Sequence, residues 1–276
     1  MKKFNIKNTP LYSFLIVVAL IQIYPLIYLF FFSLKSNSEI FGGNVAGLPT
    51  NWLWSNYKSI FSNSDMPTYF FNSTVVTVIS ILLVIFLGGT VGYAIERMRW
   101  RYSKLVLTIF LLGIMIPAQS SLLPLFMNLS HFNITDSYQA LILPYVSFGL
   151  PISIYIFTGF YESIPYEMEE SGCLEGCSIF QIYSYIIMPM VKPAIATIAI
   201  FTYRNVWNEL LFAVTFITKK AYKTVPVGLM SLRGRYSTKW GPIGAALLIA
   251  VLPSLILYFI LSKQVQESMT SGAIKG

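Results

Sequence analysis

The chain has 276 residues, of which 55% are hydrophobic and only 11% are charged, and its formal net charge is +8. This composition excludes a soluble globular domain and is typical of an integral membrane protein. The basic residues are scattered around apolar stretches and form no continuous stripe, which argues against nucleic-acid binding. We therefore expect a single transmembrane domain over residues 1–276, embedded in a lipid bilayer.

Long apolar stretches recur along the chain, and each can cross about 30 Å of hydrocarbon as a helix. They predict an all-α membrane protein with six transmembrane helices, near residues 11–34, 70–95, 104–128, 137–161, 193–217 and 241–263. Four prolines within the third and fourth stretches predict kinks, because proline removes a backbone donor. These prolines are Pro117, Pro124, Pro144 and Pro151.

Basic residues at the ends of the first spans indicate the orientation of the chain. They are Lys2, Lys3 and Lys7 before the first span, and Arg97, Arg99, Arg101 and Lys104 between the second and third. Because Lys and Arg are enriched on the cytoplasmic side, we expect a multi-pass membrane protein with both termini cytoplasmic. The loop over 162–192 is then cytoplasmic and the loop over 218–240 extracellular.

The predicted outer loop is rich in basic residues, against this orientation rule. They are Lys219, Lys220, Lys223, Arg233, Arg235 and Lys239. Their charge is either incidental to a solvated loop or forms a basic surface that meets an extracellular protein.

A polar stretch, called here the acidic segment, Pro165–Pro193, interrupts the apolar sequence. Ser163 is predicted to cap a first helix, in whose first turn Glu167, Glu169 and Glu170 place negative charge near the positive end of the helix dipole. Gly176 suits the left-handed residue that ends such a helix. The acidic residues are either a solvated face or a docking surface.

A second short helix is predicted to follow within the acidic segment. Ser178 and Gln181 have the spacing of a capping box, and Pro189 and Pro193 are predicted to stop the helix. Two short helices joined at a glycine form a compact projection suited to docking on another protein.

The residues Glu170-Ser-Gly-Cys-Leu-Glu-Gly176 resemble the Glu-Ala-Ala-x-x-Asp-Gly loop of membrane subunits of binding-protein-dependent ABC importers. Ser171, Gly172 and Glu175 depart from that pattern, and Gly172 is expected to loosen the helix by about 1 kcal/mol relative to alanine. Further matches indicate the carbohydrate branch that includes the second membrane subunit of the maltose transporter. They are Gly92-Tyr-Ala-Ile-Glu-Arg97, Met115-Ile-Pro117, Trp207-Asn-Glu209 and Thr224-Val-Pro-Val-Gly228.

The resemblance implies the type I ABC importer permease fold and, in a bacterial plasma membrane, a permease subunit that forms half of a translocation pore for a carbohydrate. The implied partners are a homologous second permease subunit, two ATP-binding subunits that hold ATP and magnesium, and an extracellular sugar-binding protein. The implied ATPase-coupling residues are Glu167, Glu170, Ser171, Gly172, Glu175, Gly176 and Pro189. The implied binding-protein contacts are Thr224, Gly228, Arg233, Arg235 and Tyr236.

The chain itself is not expected to be an enzyme. It contains no G-x-x-x-x-G-K-[ST] phosphate loop, no H-E-x-x-H zinc pattern and no nucleophile elbow. Cys173 and Cys177 lie four residues apart, but no second pair or nearby His completes a metal site. We therefore assign no catalytic, cofactor-binding or metal-binding residue, and any energy for transport must come from a partner chain.

A dense polar cluster lies deep in the fifth apolar stretch, where exposure of its charges to hydrocarbon would cost several kcal/mol. It consists of Arg204, Asn205, Asn208 and Glu209. Spacing of four residues places Arg204 with Asn208, and Asn205 with Glu209, on neighbouring helix faces. The cluster either lines the pore or joins a subunit interface. Tyr203 and Trp207 beside it could stack on sugar or pack within the bundle.

Two other classes of membrane protein remain as alternatives. A stand-alone secondary transporter predicts two internal repeats and ionisable residues at the membrane midplane, whereas the sequence shows one polar cluster and no duplicated half. A membrane-embedded receptor or scaffold is the third possibility.

Overall fold

The computed structural model describes residues 9–232 and 238–273, and in these residues it confirms an all-α protein without strands. The α-helices are α1 (Thr9–Ser33), α2 (Asn37–Phe41), α3 (Ser55–Ser62), α4 (Met66–Arg97), α5 (Ser103–Ile114), α6 (Leu122–His131), α7 (Gln139–Glu162), α8 (Glu167–Leu174), α9 (Ile179–Gln181), α10 (Met188–Met190), α11 (Lys192–Trp207), α12 (Leu211–Phe216), α13 (Val225–Ser231) and α14 (Trp240–Ala273). A π-helical turn, Ile182–Ile187, joins α9 to α10.

Four of these helices, α1, α4, α7 and α14, are long and apolar enough to cross a membrane. Two further pairs are apolar enough but sharply bent. The helices Ser103–Ile114 and Ala118–His131 meet at 88°, and Ile179–Met190 and Lys192–Trp207 meet at 77°. The described residues therefore contain six candidate spans if each bent pair counts as one.

The prolines affect the backbone differently from one another. The kink predicted at Pro117 is confirmed, because this residue is extended between α5 and the 3₁₀ turn Ala118–Ser121. Pro124 lies in the first turn of α6, where its missing N–H costs no intrahelical bond. α7 instead continues as one helix through Pro144 and Pro151, both of which are buried.

The chain divides into two compact units, and the first comprises residues 1–67 and 228–253. Its polar centre is Asn56, whose Nδ2 donates to Ser33 O (2.8 Å) and Lys35 O (3.1 Å). Gly241 lies against the Asn56 side chain and the Lys35 carbonyl, since a Cβ there would be 2.4 Å from Lys35 O. The start of α14 thus packs closely on the segment that follows α1.

The second unit comprises residues 68–227 and 254–276 and contains the main hydrophobic core. α7 lies at its centre, with Ile154, Phe157 and Tyr161 fully buried. α4 approaches α7 closely at Gly88 and Gly92, where Cβ atoms would lie 2.0 Å from Ser153 Oγ and 3.0 Å from Phe157 Cβ. This close approach brings the C-terminal end of α4 next to the acidic segment.

Candidate docking surface

The first helix of the acidic segment, α8, begins with its acidic residues in the first turn, as predicted. The predicted cap is wrong: Tyr166 occupies the N-cap position without a side-chain cap, and Ser163 Oγ donates instead to Phe160 O (2.6 Å). Ser163 is the C-cap residue of the preceding helix, α7, and its hydroxyl bonds back to that helix. The negative charge at the dipole's positive end remains as the stabilising feature of this terminus.

The junction between the two halves of the segment follows the sequence prediction. Gly176 has φ +84°, the left-handed conformation that glycine adopts without strain. Ser178 and Gln181 form the predicted capping box, with Ser178 N donating to Gln181 Oε1 (2.8 Å). The two short helices joined at a glycine are therefore confirmed.

The predicted stop at Pro189 is wrong. Helical structure runs from α9 through the π-helical turn and α10, and Pro189 lies in the first turn of α10. The break comes at Val191, and Pro193 lies at the start of α11. A π-helical turn spaces its hydrogen bonds five residues apart, which accommodates a residue without the usual amide donor.

Gly172 provides a close contact between the two halves of the segment. Its Cβ, if present, would lie 2.8 Å from Ile186 Cδ1 and 3.2 Å from Ile182 Cγ1. Gly172 is buried, so the absence of a side chain lets α8 rest on the π-helical turn. The expected loosening of α8 by glycine is thus opposed by tight packing at the same residue.

Arg97 connects the acidic segment to the rest of the second unit. Its Nε donates to Glu169 Oε1 (2.9 Å), and its Nη1 donates to Tyr161 O (3.2 Å) and Ile164 O (2.9 Å). The guanidinium also lies over the ring of Tyr166, 3.7 Å from its centroid. In the sequence, Arg97 is an orientation charge and the last residue of the match Gly92–Arg97, and neither pattern indicates its contact with Glu169.

The outer face of the segment is exposed and combines acidic with apolar side chains. Glu167, Glu170, Ser171 and Glu175 are exposed there, and Leu174 retains 90% of its accessible surface. Ile179, Phe180 and Pro189 are exposed as well. A projecting apolar side chain within an acidic rim is typical of a surface that another protein covers.

The polar cluster of the fifth apolar stretch divides at the end of α11. Arg204, Asn205 and Asn208 are exposed on the described chain, and Asn208 Nδ2 donates to Arg204 O (2.9 Å). Asn208 is the residue that follows α11, and its side chain closes the last turn of the helix. The predicted pairing of Asn205 with Glu209 on one helix face is wrong, because α11 ends at Trp207.

Glu209 has a structural role at the beginning of α12. Its carboxylate accepts from Phe212 N (2.9 Å), Ala213 N (3.1 Å) and the hydroxyl of Tyr145 (2.6 Å). These bonds satisfy backbone donors that a helix start leaves open.

Tyr203 and Trp207 stack with ring centroids 5.5 Å apart, and both are buried. The Tyr203 hydroxyl also lies 3.1 Å from Ser254 Oγ. In the described chain these rings therefore pack within the second unit.

The beginning of the basic outer loop is held by residues that the sequence did not single out. The Asp136 carboxylate accepts from Thr218 Oγ1 (2.7 Å) and Lys219 N (2.8 Å). Asn72 Nδ2 donates to Ala221 O (2.8 Å) and Lys223 O (2.9 Å). Although partial burial opposes it, these bonds from Lys219 and Thr218 and the charge of Lys219 lower the pKa of Asp136.

Two of the five predicted binding-protein contacts, Thr224 and Gly228, lie within the described residues. Thr224 and Gly228 are buried, and Thr224 Oγ1 has no hydrogen-bond partner. Lys219 and Lys220 are exposed. Arg233, Arg235 and Tyr236 lie outside the described residues.

The bent helix pairs and the spanning helices define a multi-pass membrane protein. The chain belongs to the family of binding-protein-dependent transport system inner membrane components, whose model matches residues 85–271. The family resemblance in the sequence is thereby confirmed. This family fits the importer interpretation and not a stand-alone secondary transporter.

Relatives with assigned substrates match over most of their length. The chain is 31% identical to the sulfoquinovosyl glycerol transport system permease protein SmoH of Agrobacterium fabrum, covering 92% of this chain and 89% of SmoH. It is 27% identical to the arabinooligosaccharides transport system permease protein AraQ of Bacillus subtilis, covering 99% of this chain and 98% of AraQ.

Among solved structures, the fold matches a bacterial ABC transporter involved in the import of the acidic polysaccharide alginate. The TM-score is 0.81 at 20% identity, over 95% of this chain and 99% of that one. An alginate ABC transporter in complex with alginate pentasaccharide-bound periplasmic protein also matches, with a TM-score of 0.61 at 15% identity, over 92% of this chain and 93% of that one. The chain therefore has the ABC importer permease fold.

Proposed function

We propose that this chain is the permease subunit of an ABC importer for a carbohydrate and forms half of its translocation pore. The observation that carries the proposal is the acidic segment: two short helices, packed together at Gly172, that expose Glu170 and Leu174. The family match supports the importer class, and the names of SmoH and AraQ support a carbohydrate substrate.

The proposed partners follow from what the chain lacks and what it exposes. It contains no phosphate loop, so ATP and magnesium belong to two separate ATP-binding subunits. The acidic segment docks on these subunits, with Glu170 as the anchor and Glu167, Ser171 and Glu175 around it. A homologous second permease subunit completes the pore, and the complex of the alginate transporter with its periplasmic protein supports an external binding protein.

In the proposed orientation, both termini and residues 162–192 are cytoplasmic, and residues 218–240 are outside. The basic residues Arg97, Arg99, Arg101 and Lys104 support this orientation. The acidic segment then faces the ATP-binding subunits, while Lys219 and Lys220 face the binding protein. Arg204, Asn205 and Asn208, exposed at the end of α11, face the pore or the second permease subunit.

Variants of the acidic segment test the proposal in the complete importer, expressed with its own partner subunits. Glu170→Gln removes the proposed anchor, and Gly176→Val places a β-branched residue at φ +84°, which misdirects the following helix. Each variant should lower uptake of a panel of labelled oligosaccharides at least about tenfold, equivalent to about 1.4 kcal/mol of coupling. Less ATP-binding subunit should co-purify.

Glu162→Gln is the matched control, because Glu162 is also exposed and lies before the acidic segment. It should leave uptake and co-purification unchanged. Unaltered uptake and co-purification in both Glu170→Gln and Gly176→Val would show that the segment does not couple to an ATPase. Gradient-driven uptake by the chain reconstituted alone would instead indicate a secondary transporter.

A further inference from the structure

We propose that Arg97 is a positioning residue that fixes α8 to the C-terminal ends of α4 and α7. Movement of α8 is then passed directly to two spanning helices, and not only along the chain. The attachment itself is independent of what the chain transports, whereas its effect on coupling rests on the proposed function.

The contacts of Arg97 converge on one small region. The side chain is 1% exposed, and its three hydrogen bonds reach a carboxylate on α8 and the carbonyls of Tyr161 and Ile164. Tyr161 lies in the last turn of α7, where its carbonyl also accepts from Ile164 N (3.1 Å), and Ile164 lies two residues beyond the helix. A cation at this terminus complements the helix dipole. Arg97 thus caps α7 while it pairs with Glu169.

Tyr166 adds an aromatic contact to this attachment. The guanidinium of Arg97 lies 3.7 Å from the centroid of the ring, and that of Arg99 lies 4.2 Å away. Tyr166 is the residue that immediately precedes α8. Arginine favours such a site over lysine, because a planar guanidinium stacks on a ring and donates several bonds at fixed angles.

The acidic residues of α8 consequently have separate roles. The Glu169 side chain is 15% exposed and paired inward with Arg97. Glu167 and Glu170 are exposed on the outer face. Removing one partner of a buried ion pair strongly destabilises the folded protein, because the remaining buried charge has no opposite charge beside it. Loss of Arg97 should therefore release α8 more than loss of an exposed acidic residue does.

Without Arg97, the connection of α8 to the spanning helices is much reduced. The chain from Ser163 to Tyr166 would still join α7 to α8, and Gly172 would still pack on Ile182 and Ile186. Tyr93 on α4 would still be a hydrogen-bond partner of Glu169, and Arg99 would still lie over the ring of Tyr166. The Arg97–Glu169 pair adds the buried opposite charges by which α8 and α4 are expected to move as one body.

The competing explanation is that Arg97 acts only as a cytoplasmic charge that orients the membrane spans. Arg101 is the matched control, because it is exposed, lies four residues further on and has its guanidinium 5.4 Å from the Tyr102 ring. Arg97→Gln and Arg101→Gln remove the same charge from the same segment. Only Arg97→Gln removes the contact with Glu169.

The first measurement is backbone hydrogen exchange of residues 167–176 in the full chain, purified in lipid nanodiscs. Arg97→Gln should raise the exchange rate at least about tenfold, because local opening becomes easier. Arg101→Gln should not change it, and Arg97→Lys should give an intermediate rate. If Arg97→Gln does not fold, Glu169→Gln breaks the same pair from the other side and should raise exchange similarly.

The second measurement uses the complete importer and compares ATP hydrolysis with and without its binding protein. Arg97→Gln should reduce the stimulation by the binding protein several-fold, while the ATP-binding subunits still co-purify. The double variant Arg97→Glu with Glu169→Arg should recover part of it, which a purely topological role does not predict.

The two measurements separate the possible failures. Unchanged exchange in both Arg97→Gln and Glu169→Gln would overturn the attachment, whatever the chain transports. Raised exchange with unchanged stimulation would overturn the transmission of movement through Arg97. If the wild-type assembly shows no binding-protein-stimulated ATP hydrolysis, the proposed function fails, and the exchange rates still decide whether Arg97 holds α8.

Discussion

Single residues of the acidic segment show how little space separates its two halves. At Gly172 a side chain of one carbon already lies within 3.2 Å of two isoleucines. The nearer atom, Ile186 Cδ1, is the flexible end of its side chain, so it can move aside for a methyl group. A larger side chain would have to separate α8 from the π-helical turn.

Substitution of Gly172 should therefore have effects that depend on size. Gly172→Ala should be close to neutral, because the helix propensity of alanine, worth about 1 kcal/mol, offsets the displacement of Ile186. Gly172→Leu should destabilise the protein by roughly 1–3 kcal/mol through overpacking. Thermal unfolding of the purified chain measures both effects.

Gly159→Leu is the control for this pair, because a Cβ at Gly159 would have no atom within 4 Å. It should leave the unfolding temperature of the purified chain nearly unchanged. Equal unfolding temperatures for Gly172→Leu and Gly159→Leu would contradict the close packing at Gly172.

Residues with a local backbone role were the ones that the sequence predicted best. Gly176, and the capping box of Ser178 with Gln181, follow from rules that act over four residues. The predicted cap at Ser163 is wrong because the Ser163 hydroxyl donates instead to Phe160 O, which belongs to α7. Arg97 donates to Tyr161 O, and Glu209 accepts from Tyr145. The two residues of each pair are 64 positions apart, so no local pattern reveals these contacts.

At the scale of elements, the loop between α6 and α7 acts as a clamp on the chain that follows α12. Asp136 has φ +56°, and its backbone N donates to Phe216 O (3.0 Å) while its carboxylate accepts from Thr218 and Lys219. This arrangement fixes the beginning of the basic outer loop. The attachment of the loop therefore depends on the ionisation of the Asp136 carboxyl.

The clamp should weaken in acid. The pKa of Asp136 is lowered in the folded state, so its stabilisation is present above the ordinary pKa and is lost as the pH falls through the lowered value. Exchange of the Thr218 and Lys219 amides, corrected for the intrinsic effect of pH, should rise in the wild type below about pH 4.

Asp136→Asn is the matched variant, because asparagine tolerates a left-handed backbone and keeps the shape of the side chain. It should show faster exchange at neutral pH and no further rise in acid. An identical pH response in the variant and the wild type would show that another group controls the loop.

Among the elements, long helices were predictable and breaks were not. Apolar length indicated α1, α4, α7 and α14, because each keeps its hydrophobic character for a full span. The sequence predicted one span over 193–217 despite the polar cluster within it, yet α11 and α12 are separate helices, with Glu209 bonded to the start of the second. At this break Glu209 also accepts a bond from Tyr145, which is distant in sequence.

For the whole molecule, the proposed orientation places opposite charges on opposite sides of the membrane. In that proposal, the acidic face of α8 faces the ATP-binding subunits and the basic loop faces the binding protein. If the two surfaces lie on different sides of the bilayer in this way, they should respond independently to charge reversal.

Reversal of Lys219, Lys220 and Lys223 to Glu should weaken docking of the binding protein, with the largest effect at low ionic strength because salt screens exposed charges. Co-purification of the ATP-binding subunits should be unchanged. Docking that is equal for both proteins at every salt concentration would show that the charge of this loop is incidental.

The close approach of α4 to both halves of the acidic segment has a consequence for exchanging parts between related proteins. Arg97 holds the first half, and a Cβ at Gly89 would lie 2.8 Å from Tyr183 Oη in the second half. Residues 165–193 therefore do not form an independent structural unit. A chimera that receives this stretch from a relative should work only when residues 89–97 are transferred from the same donor.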